Sequence, residues 1–304
     1  MKSSLLFVAT LSVGGVACFS AGAKDEVSQA TSVPQEIVNV PDHVHYAWLQ
    51  NTSVDSMNCL ANRFVVPSGF QRVAVDSGSF AEWLRYLPLH PEGKKVLLYN
   101  GDEKRRQDVH AAVINIDPGK SDLQQCADAT MRLRAEYLFS IGAYSRIHFN
   151  YTSGDRCSYT EWCNGMRLKV NGNQVTENNT GQKTDSGDHG NLRAFMKNVF
   201  TYAGTISLQR EMIALPLDSI QIGDVFIQGG SPGHAVIVVD LCENTKGEKL
   251  FMLAQSYMPA QEVHVLKNFS EPQISPWYRL KNGETLETPE WDFKSGDLKR
   301  FSVD

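Results

Sequence analysis

The chain has 304 residues, a formal net charge of −5 and 42% hydrophobic residues. That is enough apolar material for a substantial core, and the length allows one large domain or two small ones. The mild negative charge argues against a nucleic-acid partner, whose phosphates need a basic face.

The N-terminus carries the first signal. Lys2 is a short positive region, Leu5 to Cys18 is uncharged and apolar or small, and Ala21-Gly22-Ala23 is the small–x–small pattern of a cleavage site. Residues 1–23 are therefore expected to be a signal peptide, and the mature chain to work outside the cytoplasm, in the periplasm or cell envelope. The apolar stretch is too short and glycine-rich to cross ~30 Å of hydrocarbon. A second exported reading stays open, in which Cys18 is lipidated, although Gly15 stands where a branched apolar residue is usual. A membrane contact is expected only in that case. Residues 24–42 are polar and read as a tether, and 43–304 as a single α+β domain.

Ser79 to Tyr86 reads as a short helix capped by Ser79, with Phe80, Trp83, Leu84 and Leu87 on one face. His110 to Ile116 reads as a strand ended by Asp117-Pro118-Gly119. Ser121-Asp122-Leu123-Gln124 fits a capping box, and Leu123, Cys126, Thr130, Leu133 and Tyr137 form the stripe of the helix behind it. Residues 171–191 read as a Gly-, Asn- and Asp-rich loop in which Asp188 and His189 are solvated. A further helix is expected from Leu192 to Ala203. Gly223 to Ile227 opens a strand, Ser231-Pro232-Gly233 turns, and His234 to Leu241 is apolar enough for a strand buried on both faces. Asn244 to Gly247 makes a hairpin loop, and Lys249 to Tyr257 returns.

Cleavage after Ala23 leaves five of six cysteines: Cys59, Cys126, Cys157, Cys163 and Cys242. An odd count outside the cytoplasm leaves a thiol free or paired between chains. Cys157 and Cys163 match no common zinc spacing, so no metal and no cofactor is expected. A disulfide between them needs Cα atoms within about 7 Å and stays open.

His234, at the entry of a stiff strand, suits a general base, because its ordinary pKa lies near working pH. The alternative is a histidine that only bonds backbone at a strand end. If Glu243 faces Glu248 across the hairpin, His234 falls opposite Tyr257, and Gln255 lies one diagonal step away on the same face. Gln255 is then the residue that orients His234. A register slip of one makes Ser256 the reserve.

The stretch Ile222 to Asp240 (IGDVFIQGGSPGHAVIVVD) resembles the core of the NlpC-type and CHAP-type cysteine amidases and peptidases. The resemblance implies a papain-like fold, an antiparallel sheet with packed helices, with His234 as base and Gln255 as orienter. Those families place their Cys at the start of a helix roughly fifty residues before the Gly-Asp opening, and here that region, near the Leu192 helix, holds none. Either the nucleophile is absent and the chain is a binding module, or Cys126, within Gln124-Gln125-Cys126, supplies it. If Ser121 is the cap, Cys126 sits in the second turn, where the helix dipole lowers its pKa only weakly, and a buried small hydrophobe is the competing role. Over the whole globular region, DLQQCADATMRLRAEYL, YAGTISLQREM, LAQSYMPAQEVHVL, SPWY and TPEW are similar to an exported bacterial family known as domain of unknown function 4846. The expected function is a cell-envelope cysteine amidase or peptidase acting on peptidoglycan peptides. The alternative is a non-catalytic module whose Trp277, Tyr278 and Trp291 line a glycan or peptide groove.

Overall fold

The computed structural model describes residues 37–302 apart from 51, 53 and 173. The expected signal, Cys18 and most of the expected tether lie outside those residues. From Val38 the chain is already laid on the fold: Val38 N–H donates to Asn62 Oδ1 at 3.0 Å, and Val40 N–H to Ser56 Oγ at 3.3 Å. The described residues belong to one compact unit, Gln35–Asp304.

The fold is α+β, built on an antiparallel sheet of nine strands. These are β1 (Phe70–Arg72), β2 (His110–Val113), β3 (Ile213–Ala214), β4 (Val225–Gln228), β5 (His234–Asn244), β6 (Lys249–Gln255), β7 (His264–Leu266), β8 (Trp277–Tyr278) and β9 (Leu298–Arg300). Their order is β2-β7-β6-β5-β4-β9-β3, with β1 also paired to β5 and β8 to β6. Four longer helices accompany it: α1 (Phe80–Arg85), α2 (Cys126–Ser140), α3 (His189–Tyr202) and α4 (Thr205–Glu211). Both α1 and α2 pack on β5. That strand is buried from His234 through Cys242, as its β-branched run requires of a central strand.

A buried charge anchors the same strand. Asp240 Oδ2 accepts from Arg72 Nε at 2.6 Å and Oδ1 from Arg85 Nε at 2.8 Å, so β1, α1 and β5 are tied through one carboxylate. Ser79 caps α1 as its sequence predicts, its Oγ accepting from Glu82 N–H at 3.1 Å.

Helix α2 begins later than its capping box suggests. The cap is Gln125, and Asp128 supplies the capping carboxylate, Oδ2 accepting Gln125 N–H at 3.0 Å. Gln124 is unavailable for that task because its Oε1 is held by Arg132 Nη1 at 3.0 Å. Cys126 therefore occupies the first helical position, not the second turn.

The polar stretch 171–191 is not all loop. Met166–Asn171 pairs with Gln174–Asn179 as a hairpin, and Asp188 caps α3 by accepting from Gly190 N–H at 2.9 Å. His189 is not simply solvated: its Nε2 meets Glu136 Oε1 at 2.9 Å, with Glu136 fully buried. Trp277 and Tyr278 lie in the core rather than along a groove. All five described cysteines are free and buried. Among the described residues no helix is long and apolar enough to cross a membrane, and no cluster of His, Cys, Asp and Glu could hold a metal ion.

Candidate active site

The hairpin of β5 and β6 starts one step out of the expected register, with Lys249 opposite Glu243. A bulge between Met252 and Leu253 takes up the extra residue, so Leu253 faces Val238 and Ala254 faces Ile237. Continuing that register puts Tyr257 opposite His234, and the two rings lie 5.0 Å apart. Gln255 then reaches the imidazole, with His234 Nε2 2.7 Å from Gln255 Oε1. A carbonyl oxygen only accepts, so Nε2 carries the hydrogen and Nδ1 the lone pair. Ser256, the reserve candidate, points elsewhere: its Oγ lies 3.0 Å from Gln124 O and 2.9 Å from Gln261 O, the two acceptors its one hydroxyl hydrogen can reach.

The His234 ring is walled by aromatic side chains. Trp291 lies 5.5 Å away and Phe293 5.9 Å, the latter stacked. Trp291 is itself held, its Nε1 donating to Gln228 Oε1 at 2.9 Å. Burial in this setting pushes the His234 pKa down to about 4, with the Gln255 bond opposing and the charge on Lys104 adding to the fall.

Cys126 is brought to the same strand end. Its thiol is directed at Gly233 O, 4.0 Å away, and the backbone N–H groups of Ala127, Ala235 and Cys126 approach the sulfur. The sulfur thus touches the main chain on both sides of His234. Burial, then the negative charge of Asp128, pushes the thiol up to about 11 against those N–H groups. Thiol and imidazole consequently both rest neutral.

The loop before His234 is shaped for close approach. A Cβ on Gly233 would come within 2.5 Å of Thr205 Oγ1 and 2.7 Å of Gln228 O, so only glycine fits there. The loop 230–233, Thr205 and the start of α2 border a groove of about 300 Å³ onto which Cys126 opens. A larger cavity of about 470 Å³ lies elsewhere, beside Arg134 and Gly223, and is lined by no cysteine or histidine.

Asp128 also faces the groove. Burial pushes its carboxyl up to about 8, and its Oδ1 has no partner. Gln124, two residues before the cysteine, is turned away into the Arg132 network. Gln125 is the one that borders the groove. His110 does not join the site; its Nε2 meets Lys94 O at 3.1 Å.

Behind Gln255 stand residues the sequence did not single out. Gln255 Nε2 donates to Glu290 Oε2 at 2.7 Å and lies 3.4 Å from His264 Nε2. Lys104 Nζ donates to both Glu290 oxygens, at 2.8 and 2.9 Å. Glu290 belongs to the Thr-Pro-Glu-Trp stretch, whose Trp291 abuts His234. Lys104 sits in a charged run that otherwise reads as solvated surface.

The family described as Domain of unknown function (4846) matches over residues 60–300. No curated protein and no solved structure matches the chain.

Proposed function

The chain belongs to the domain of unknown function (4846) family, and within it we propose that this member is a cysteine-dependent amidase or peptidase of papain-like arrangement. One observation carries the reading. The first residue of α2 is a cysteine whose sulfur contacts the backbone flanking His234, while Gln255 holds His234 Nε2 at 2.7 Å. The chain order, helix cysteine, strand histidine, then a polar residue on the next strand, supports the likeness to the NlpC-type and CHAP-type enzymes. A much longer segment separates Cys126 from the Gly-Asp opening here; it carries the short hairpins, α3 and α4.

The chemistry follows from the resting state. The Cys126 thiol attacks the amide carbonyl as its proton passes to His234 Nδ1, so no preformed ion pair is needed. The main-chain N–H of Cys126, which has no intrahelical acceptor at the head of α2, would stabilise the oxyanion. His234 returns the proton to the departing amine, leaving a thioester on Cys126. Water, deprotonated by His234, then releases the acid and restores the thiol.

The substrate we favour is an amide in a peptidoglycan stem peptide, met outside the cytoplasm after export. The test is cleavage of purified muropeptides by the mature chain. Cys126→Ala is expected to lower the rate at least ~1000-fold, as removal of a nucleophile does, with little change in thermal stability. Unchanged cleavage by that variant would remove Cys126 as nucleophile.

The burial of Cys126 favours a second reading, a non-catalytic module using the same groove to bind wall peptides. Saturable binding to purified cell wall without released product would favour it.

A further inference from the structure

Gln255 keeps the lone pair of His234 on Nδ1 only while its oxygen, not its nitrogen, faces the ring. The two ends of an amide are nearly the same shape, so the surroundings decide the orientation. Here two neighbours decide it. Glu290, 2.7 Å from Gln255 Nε2, is a carboxylate and only accepts. His264 Nδ1 donates to Glu262 O at 2.9 Å, so its Nε2, 3.4 Å from Gln255 Nε2, also accepts. Both amide hydrogens are taken, and Oε1 is left for His234.

Glu290 can do this only as an anion. Its side chain is 9% exposed and that of Lys104 6%, and the Lys104 ammonium meets both carboxylate oxygens. The ammonium supplies the counter-charge that a carboxylate at this depth needs.

We infer that Glu290, gripped by Lys104, is a positioning residue: it orients the Gln255 amide and thereby sets which nitrogen of His234 carries the proton. The inference rests on His234 being the base of the proposed reaction. It concerns proton placement in the resting protein, however, so it is tested with no substrate present.

The test is ¹⁵N NMR of histidine-labelled protein at pH 7, read together with iodoacetamide alkylation of Cys126. The parent chain is expected to show His234 protonated on Nε2 and bare on Nδ1. In Glu290→Gln the side-chain amide can donate to Gln255, the Gln255 amide turns, and a population protonated on Nδ1 appears. Alkylation of Cys126 then slows ~10-fold or more, as when a catalytic imidazole is held in the wrong tautomer. Glu290→Asp keeps the carboxylate and is expected to restore much of the Nε2–H form. Should Glu290→Gln fail to fold, Lys104→Met with Glu290→Gln removes both buried charges together and reads the same tautomer. A His234 that keeps its hydrogen on Nε2 in the folded variants overturns the inference and leaves Glu290 a structural ion pair. A tautomer that shifts supports it whatever Cys126 does. A Cys126 that never alkylates in the parent chain refutes the amidase reading alone.

Discussion

Strand β5 buries a polar side chain towards each end, and the two are treated differently. Asp240 accepts from Arg72, Arg85 and the N–H of Leu241, so both its oxygens are engaged and three segments are locked together. His234 has one nitrogen engaged by Gln255, while Nδ1 has no hydrogen-bond partner among the described residues. Aromatic side chains wall the buried ring, and a thiol lies against the adjoining backbone. A buried network that closes on itself stiffens a fold. One that leaves a lone pair unused keeps a group available for chemistry.

The contrast can be broken by substitution. Asp240→Ala leaves two largely buried guanidinium groups without their anion and is expected to cost ~3–5 kcal/mol in urea unfolding. His234→Ala should cost much less stability, since it removes one hydrogen bond and no ion pair. Equal losses at the two positions would erase the distinction.

Acidity sharpens it next. Burial lowers His234 to about 4 and His264 to about 3, below the ordinary 6.5. The unfolded chain therefore binds more protons below that value, and stability falls as pH drops from 6.5 towards 4, by about 1.4 kcal/mol per unit for each histidine. Asp128 runs the other way. Its raised carboxyl gives stability that is full below 3.8 and is lost as pH rises through about 8. Asp128→Asn keeps an oxygen for Gln125 N–H and removes that loss. Its melting temperature relative to the parent is expected to rise between pH 4 and pH 8; a constant difference would contradict an uncharged Asp128. The smallest effect is expected far from the site: Ser79→Ala removes the α1 cap for about 1 kcal/mol, with alkylation of Cys126 unchanged.

Much of this was legible because it is local. The run from His234 to Leu241, the hairpin behind it and the Ser79 cap announce themselves through apolar pattern and turn residues. The contact of His234 with Gln255 depends on a register that differs from the expected one at the turn and is restored by a bulge, a feature with no mark in the sequence. The start of α2 was misplaced because Ser121 and Gln124 imitate a capping box, whereas Arg132 claims the Gln124 side chain. The hairpin within 166–179 is too rich in polar residues to stand out from a loop. Lys104 and Glu290 were invisible for a different reason. A charged residue in a charged run reads as surface, and only the tertiary fold brings these two together.

The central claim is that His234 serves as the base for Cys126. Its most direct measurement is the rate at which iodoacetamide modifies each cysteine of the native chain at pH 7, followed by mass spectrometry in the parent and in His234→Ala. Cys126 is expected to react well ahead of Cys59, Cys157, Cys163 and Cys242, and to slow at least ~10-fold when the imidazole is removed. A Cys126 as inert as the other four, or one whose rate does not change in His234→Ala, would contradict the account.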